Sequence, residues 1–244
     1  MITAVGVVIP ARDEADHIGL CLQSVHRALS VLPPATDTAV WVVVDRCTDA
    51  TAELVRLNLA GRGGCGWEVS DRDRPVGTLR DRGNRAVLDL LGGHLPGNIW
   101  LLNTDADTVV PPGWAAGHVA LAEDGADAVA GIADLAAAPA QPLAAARYRE
   151  LIARHRHGAV HDHVYGANLG VRASAYLRVG GFAPRSTGED VDLVRRLRRG
   201  GYEVVAPVHV RVRTSARTVG RAPGGLADLL SSLERGATGP AAAV

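Results

Sequence analysis

Short apolar runs alternate with longer amphipathic stretches through the first half of the chain. Residues 5–9, 40–44 and 99–102 are apolar and rich in β-branched side chains, which predicts strands that are buried on both faces. Between them, apolar residues recur at helical spacing over 18–29 and 79–91, which predicts two helices. This alternation indicates a parallel sheet, and the right-handed crossovers of such a sheet place helices on both of its faces.

Weaker patterns complete the outline. Residues 50–59 predict a further helix, and 67–69 a short strand. Beyond Pro111 and Pro112 the chain becomes rich in alanine and the pattern is less regular. The predicted elements of this second half are a strand at 126–132, a helix at 142–157, an extended segment at 167–171, helices at 174–179 and 191–199, strands at 202–205 and 209–212, a loop at 216–225, a helix at 226–233 and a frayed tail at 236–244.

Composition and charge exclude several classes of protein. The 244 residues suffice for one large domain or two intimate halves. The 26 basic residues balance 26 acidic ones, and a zero net charge argues against a nucleic-acid coat or a binder of acidic membranes. Every basic residue is Arg, which excludes a Walker lysine, a Schiff base and a lysine general base.

The cysteines and the N-terminus bear on the compartment. Cys21, Cys47 and Cys65 contain no Cys-x-x-Cys pair, so we expect neither a disulfide framework nor a zinc ribbon. The first apolar run has no basic region before it, and no stretch reaches the roughly 18 apolar residues of a membrane span. These features predict a cytoplasmic protein without an integral membrane segment.

The most informative segment is an apolar strand that runs directly into Asp105-Ala106-Asp107. In open α/β sheets, ligands bind outside the carboxyl ends of the strands. Two carboxylates at such a point can face one cation, and their oxygens suit Mg²⁺ or Mn²⁺. The alternative is a solvated Asx-turn.

A second acidic cluster opens the helix predicted at 191–199. Glu189, Asp190 and Asp192 follow Thr187-Gly188. One interpretation is structural, because negative charge at a helix N-terminus favours the helix dipole and Thr187 or Asp190 can cap the helix. The other is a general base that takes a proton from an attacking hydroxyl.

Taken in order, these segments resemble the family-2 glycosyltransferases, which have the GT-A fold. The resemblance covers about residues 4–205, and five motifs in the same order carry it. They are 7–14 (VVIPARDE), 43–51 (VVDRCTDAT), 105–107 (DAD), 165–172 (YGANLGVR) with 180–182 (GGF), and 188–193 (GEDVDL). It implies a Rossmann-like, mostly parallel central sheet with helices on both faces and a smaller acceptor-side subregion.

The resemblance also implies roles for individual residues. Asp190 would be the catalytic base, and Glu189 would orient it or the acceptor. Asp107 would bind Mg²⁺ or Mn²⁺, with Asp105 near the ribose or the metal. The implied nucleotide contacts are Pro10, Ala11, Arg12, Glu14, Asp45 and Asp105, and the implied acceptor contacts include Gly166, Ala167 and Asn168.

Two departures from the family pattern limit this transfer of roles. The second strand carries one acid, Asp45, preceded by Val44, where the family often has two. The stretch after the third strand reads Thr78-Leu79-Arg80-Asp81 instead of Ala-Arg-Asn, and we carry over only Arg80, as a nucleotide contact.

Further candidates rest on position alone. Arg217 and Arg221 lie in a glycine-flanked loop that could close over the donor and clamp its diphosphate, or could be a solvated basic loop. His209 is a candidate third metal ligand. Trp114, just past the metal loop, could stack on an acceptor sugar or simply pack in the core.

The sequence therefore predicts a metal-dependent inverting glycosyltransferase that uses a UDP- or GDP-linked sugar and a small-molecule, lipid-linked or natural-product acceptor. We expect a nucleotide-sugar-binding half at 1–110, an acceptor-binding and catalytic-base half at 111–215, and a C-terminal loop, helix and tail at 216–244. A homodimer stays open, and nucleic acid is not expected as a partner. The alternatives are a sugar nucleotidyltransferase, a retaining GT-A enzyme and a non-catalytic nucleotide-sugar binder. A Rossmann oxidoreductase would need Gly-x-Gly-x-x-Gly after the first strand, which residues 10–14 lack.

Overall fold

The structure, a computed structural model, describes residues 1–136, 142–217 and 226–235. Two short 3₁₀ turns, Pro96–Asn98 and Gly166–Asn168, accompany the regular elements. In chain order these elements are β1 (Ala4–Ala11), α1 (Ile18–Leu29), β2 (Asp37–Asp45), α2 (Thr51–Leu59), β3 (Cys65–Ser70), α3 (Val76–Leu90), β4 (Ile99–Asn103), β5 (Thr108–Val109), α4 (Trp114–Glu123), β6 (Ala128–Ala130), β7 (Ile132–Leu135), α5 (Pro142–Arg154), β8 (Arg156–His157), β9 (Val160–His161), β10 (Leu169–Arg172), α6 (Ala173–Arg178), α7 (Glu189–Arg199), β11 (Val204–Val205), β12 (Arg211–Thr214) and α8 (Leu226–Glu234).

Seven of these strands form the central sheet, in the order β11-β6-β10-β4-β1-β2-β3. β1 pairs in parallel with β2 and β4, and β2 pairs in parallel with β3. β10 is antiparallel to both of its neighbours, β4 and β6. The predicted mostly parallel sheet is confirmed, and strands from both predicted halves of the chain contribute to it.

Helices cover both faces because side chains alternate along each buried strand. Val5, Val7 and Ile9 of β1 point into one apolar core with α1, α2 and α4. Ala4 and Val8 point into the other, with α3, α6 and α7. The absence of a side chain at Gly6 lets α3 sit directly on β1, since a Cβ there would collide with Val87.

The sequence-based outline differs from the structure in several places. The short strands β5, β8 and β9 were not predicted, and β8 occupies the end of the helix predicted at 142–157. The alanine-rich stretch contains the helix α4, which was not predicted. The strand predicted at 126–132 is two strands, because the chain leaves the central sheet at Gly131, where a Cβ would collide with the side chain of Asn168. β7 then joins a small sheet in the order β5-β12-β7.

Only part of the predicted C-terminal region lies within the described residues. The predicted helix at 226–233 is present as α8, which packs with Tyr148 and Ile152 of α5 through Leu230. The predicted tail at 236–244 and most of the predicted loop at 216–225 lie outside the described residues. Within the described ranges, none of the helices has the length and apolar character needed to cross a bilayer.

The topology defines one functional edge of the sheet. β1, β2 and β4 are parallel, so their carboxyl ends meet there, and the antiparallel β10 begins opposite the end of β4, with Leu169 paired to Asn103. Loops from both predicted halves therefore converge at this edge, which is where ligands bind in such folds.

Candidate active site at the carboxyl edge of the sheet

Asp45 ends β2 and lies at the base of the edge. It is buried, with 4% of its surface exposed, and two arginines flank its carboxylate. Arg46 Nε lies 3.4 Å from its Oδ1, and Arg12 NH1 lies 3.9 Å from its Oδ2. Pro10 and Ala11 end β1 beside it, since Ala11 is paired with Val44. The structure thus brings together the predicted nucleoside-side residues of these two strands.

The loops after β1 and β2 turn sharply and are fastened to each other. Asp13 and Arg46 adopt positive φ angles of 51° and 45°, which are uncommon for residues other than glycine. The backbone N–H of Glu14 donates to Thr51 Oγ1 at 2.7 Å, and that of Thr48 donates to Asp13 Oδ1 at 2.7 Å. These bonds fix the position from which the Glu14 side chain enters the site.

One group of potential metal ligands lies in these loops. Atoms of Asp13, Cys47 and Asp49 lie within 4.8 Å of one another. Asp49 Oδ1 accepts hydrogen bonds from the backbone and hydroxyl of Thr51, and Asp13 accepts from Thr48. We interpret this group as the clamp between the two loops, because each carboxylate accepts a backbone N–H of the other loop: Asp49 from Ala15 and Asp13 from Thr48.

Arg80 connects the two acidic clusters. Its side chain is 3% exposed and projects from α3 into the site. NH2 lies 2.5 Å from Asp105 Oδ1, Nε donates to Glu189 Oε1 at 3.1 Å, and NH1 donates to the carbonyl of Thr104 at 3.4 Å. Burial opposes the charge, yet Asp105 and Glu189 raise the pKa of Arg80 above its ordinary value. Arg80 is thus an internal strut between the two clusters, and its role as a nucleotide contact stays a prediction.

Asp107 is held by the C-terminal part of the fold. Thr214 Oγ1 donates to its Oδ1 at 3.2 Å, because β12 pairs with β5 and sets Thr214 opposite Thr108. Arg217 NH2 lies 3.2 Å from its Oδ2. Burial and the nearby charges of Asp105 and Glu14 raise the pKa of Asp107 to about 6. Two buried acids, Asp107 and Glu14, thus lie close enough to the partly exposed Asp105 for their charges to interact, and carboxylate oxygens are the ligands that a divalent cation such as Mg²⁺ prefers.

Asp190 stands at the start of α7, where the two halves meet. The backbone N–H of Gly166 donates to its Oδ2 at 2.7 Å, and the N–H of Val191 donates to its Oδ1 at 2.8 Å. Burial raises the pKa of Asp190, against the opposing effects of the Val191 bond and of Arg80. Burial likewise raises the pKa of Glu189, with Arg80 opposing and Asp190 reinforcing the shift. A carboxylate with a raised pKa is a stronger proton acceptor, which suits general-base chemistry.

The predicted acceptor residues are largely internal. Trp114 is 2% exposed, and its indole N–H donates to Asn168 Oδ1 at 2.9 Å. Asn168 is fully buried and its amide donates to the carbonyls of Ile132 and Val210. Trp114 and Asn168 therefore build the core instead of lining an open pocket. Ala167 is 5% exposed, and Gly166 contributes its N–H to Asp190.

Of the two remaining candidates, His209 and Arg221, only His209 lies within the described residues. His209 is exposed in the turn before β12, and at about 3.3 Å per strand residue the length of β12 separates it from Thr214 by roughly 10 Å or more. The structure therefore argues against His209 as a ligand beside Asp107. Arg221 lies outside the described residues.

The sequence analysis did not identify Thr214 as a site residue, and it did not predict that Arg217 contacts Glu14. Arg217 NH1 donates to Glu14 Oε1 at 2.5 Å, across 203 positions of sequence. Thr214 reaches Asp107 across 107 positions. Neither contact has a local signal, because both depend on how β12 pairs with β5.

Two family profiles together match the residues that form this edge of the sheet. The profile described as Glycosyl transferase family 2 matches residues 6–138, and that described as Glycosyl transferase family group 2 matches residues 100–224. The chain therefore belongs to glycosyl transferase family 2 and is a glycosyltransferase. Among curated proteins, none matches it.

Solved structures share the fold at low sequence identity. The mannosyltransferase PcManGT from Pyrobaculum calidifontis, in complex with GDP-Man and Mn²⁺, has a TM-score of 0.65 and 18% identity, over 94% of this chain and 69% of that one. S. aureus TarS 1–349, in complex with UDP-GlcNAc, has a TM-score of 0.63 and 14% identity, over 91% and 60% of the respective chains. GalNAc-T7 with UDP, GalNAc and Mn²⁺ has a TM-score of 0.66 and 12% identity, over 94% and 48%.

These matches establish the GT-A fold. The chain spans 60% of the length of the TarS fragment and 48% of that of GalNAc-T7, so those chains are considerably longer than this one.

Proposed function

We propose that the chain is a metal-dependent, inverting glycosyltransferase that moves a sugar from a UDP- or GDP-linked donor to the hydroxyl of a small-molecule, lipid-linked or natural-product acceptor. The observation that carries the proposal is the pairing, through Arg80, of two acidic clusters with different surroundings. Asp107 and Asp105 lie on one side of Arg80, and Glu189 and Asp190 lie on the other. Family membership supports the reaction class, and the ligands of the similar structures support the donor class.

On the donor side, Asp107 and Asp105 would hold Mg²⁺ or Mn²⁺, with Glu14 close by. The ion would supply positive charge that neutralises the departing nucleoside diphosphate. Asp45, Pro10 and Ala11 lie at the adjacent strand ends and form the proposed nucleoside pocket. The Mn²⁺ bound in two of the similar structures supports a divalent ion without choosing between the two metals.

On the acceptor side, Asp190 would act as the general base. It would take the proton of the acceptor hydroxyl as that oxygen attacks the anomeric carbon and the diphosphate leaves from the opposite face. Two backbone N–H groups fix both of its oxygens, which orients the carboxylate, and its raised pKa favours proton uptake. Glu189 would be a positioning residue that acts through Arg80.

A nucleotide-binding panel tests the donor side. UDP, GDP and the other nucleoside diphosphates are added with Mn²⁺ or Mg²⁺ and thermal unfolding is measured. We expect one nucleobase to raise the melting temperature only with a divalent ion, and Asp107→Ala to abolish that metal-dependent rise. Asp124→Asn, an exposed acid after α4, is the matched control. A rise that Asp107→Ala leaves unchanged would overturn the metal assignment.

Transfer kinetics test the acceptor side. Asp190→Asn should retain donor binding and lose transfer by about 10²–10⁴-fold, the usual contribution of a general base. Full transfer by this variant would show that the base is another group. Pyrophosphate release from a nucleoside triphosphate and a sugar phosphate would favour the nucleotidyltransferase alternative, and a product with retained anomeric configuration would favour the retaining one.

A further inference from the structure

Arg217 joins two buried carboxylates that come from different loops. It lies three residues beyond the end of β12, with 27% of its side chain exposed. NH1 lies 2.5 Å from Glu14 Oε1, and NH2 lies 3.2 Å from Asp107 Oδ2. Glu14 and Asp107 are 5% and 9% exposed, so the same guanidinium pairs with two acids that solvent barely reaches.

Each oxygen of Asp107 already has a protein partner. Its Oδ1 accepts from Thr214 and its Oδ2 faces Arg217. Mg²⁺ and Mn²⁺ bind carboxylate oxygens directly, at about 2.1 Å for Mg²⁺. An entering cation therefore comes close to the charged Arg217 and repels it, so that the two positive charges compete for the same carboxylate, whereas the neutral hydroxyl of Thr214 is not repelled.

The displaced side chain has a natural new partner. A guanidinium pairs bidentately with phosphate as well as with carboxylate. Under the function proposed above, the donor brings its diphosphate to the same metal, within the space that Arg217 borders. The exchange keeps the charges of both acids and of the arginine compensated throughout.

We propose that Arg217 is a built-in competitor of the divalent cation, which holds Glu14 and Asp107 in the absence of metal and moves to the donor's diphosphate when the cation binds. This inference rests on the proposed function and deepens it. It makes metal and nucleotide binding cooperative, because the diphosphate takes up the arginine that the metal releases. The metal alone binds weakly, and the metal–nucleotide pair binds tightly.

Mn²⁺ binding without nucleotide is the direct test, measured from the free Mn²⁺ signal by electron paramagnetic resonance. Arg217→Gln keeps hydrogen-bonding capacity and removes the charge, and it should bind Mn²⁺ about tenfold more tightly than the wild type, within the usual range of coupling between sites. Arg217→Ala should change in the same direction. Arg213→Ala removes an exposed arginine of β12 and should leave the affinity unchanged.

A second measurement separates displacement from simple loss of a contact. With saturating Mn²⁺, the nucleoside diphosphate should bind Arg217→Gln about tenfold more weakly than the wild type, so that the cooperativity is lost. Thermal unfolding checks that the variant is folded. It also gives a second measure of metal binding, because Mn²⁺ should raise the melting temperature of the variant more than that of the wild type.

The outcomes separate failure of this inference from failure of the proposed function. Equal or weaker Mn²⁺ binding by both Arg217 variants, with metal-dependent nucleotide binding intact in the wild type, overturns the competitor role alone. Absence of Mn²⁺ binding in every protein, with or without nucleotide, overturns both the competitor role and the metal dependence.

Discussion

Arg80 shows how much one buried side chain can organise. It emerges from α3 with its carbonyl bonded to Asn84, whose amide also reaches Asn103 at the end of β4. Its guanidinium then spans Asp105 and Glu189. A buried charge without a partner is very costly, so Glu189, which is 8% exposed, depends on the arginine for its burial, whereas Asp105 stays partly exposed.

Replacing Arg80 should therefore destabilise the protein strongly. Arg80→Met preserves much of the volume but leaves Asp105 and Glu189 without their counter-charge, and we expect a loss of about 3–5 kcal/mol in the free energy of unfolding. Chemical denaturation measures this loss. Arg85→Met is the control, because Arg85 is 59% exposed and its surface pair with Asp81 should contribute at most about 0.5 kcal/mol. Equal stability of the two variants would show that Arg80 is not the required counter-charge.

Individual site residues were predictable where a local pattern carries the chemistry. Asp105 and Asp107 follow a strongly apolar strand and lie at its carboxyl end, as predicted. The role of Arg80 as a strut was not predictable, since its contact with Glu189 spans 109 positions. His209 was a poor prediction because a short strand separates it from the residue that reaches the site.

At the scale of elements, the 3₁₀ turn before β10 links the buried core to Asp190, the proposed catalytic base. Gly166 begins this 3₁₀ turn, its N–H holds Asp190, and it lies against the guanidinium of Arg80. A Cβ on Gly166 would lie 2.5 Å from Arg80 NH2. Arg80 is fastened at both ends and cannot yield easily.

Gly166→Ala should consequently displace the turn and the base together. We expect a destabilisation of about 1–3 kcal/mol, typical of overpacking, and a fall in kcat larger than any change in the KM for the donor. Thermal unfolding and steady-state kinetics measure the two effects. Gly113→Ala, where a Cβ meets nothing within 4 Å, should be nearly silent. Wild-type kcat in Gly166→Ala would contradict the role of this turn.

Elements with a clear period were predicted well, and the others were not. The helix at 18–29 matches α1 to the residue, because its apolar spacing is regular. The helix α4 escaped prediction because alanine fills both its buried and its exposed positions and blurs the period. The break between β6 and β7 has no sequence signal beyond Gly131, since the crowding by Asn168 arises only in the folded chain.

At the scale of the whole molecule, a buried polar cluster ties the central sheet to the small sheet β5-β12-β7. His118 of α4 and Trp114 both lie against Asn168 Oδ1, and the Asn168 amide reaches the backbone of β7 and of Val210 just before β12. Burial lowers the pKa of His118 to about 4, so the ring is neutral in the folded protein.

The contribution of His118 to the free energy of unfolding should therefore be lost in mild acid. An unfolded histidine takes up its proton near pH 6.5, whereas the folded His118 resists protonation down to about pH 4. The unfolded state binds more protons between these values, so the contribution is fully present above pH 6.5 and falls by up to about 3 kcal/mol toward pH 4.

Denaturation curves recorded from pH 7 to pH 4 measure this loss. His118→Gln should show a shallower pH dependence than the wild type, whatever its stability at pH 7. His157→Gln removes a histidine that is 62% exposed and should keep the wild-type slope. Identical slopes for all three proteins would exclude His118 as the acid-sensitive group.

The reversed direction of β10 has a consequence for how such an enzyme diversifies. The described residues between β7 and β10 leave the edge that carries the acids and return to it. They are also tied to the fold between their ends, since the Tyr148 hydroxyl donates to the carbonyl of Ala133 and the His161 N–H donates to that of Ala206. We therefore expect exchanges of the exposed side chains of this stretch to change the choice of acceptor while the register that fixes Gly166 and Asp190 is kept.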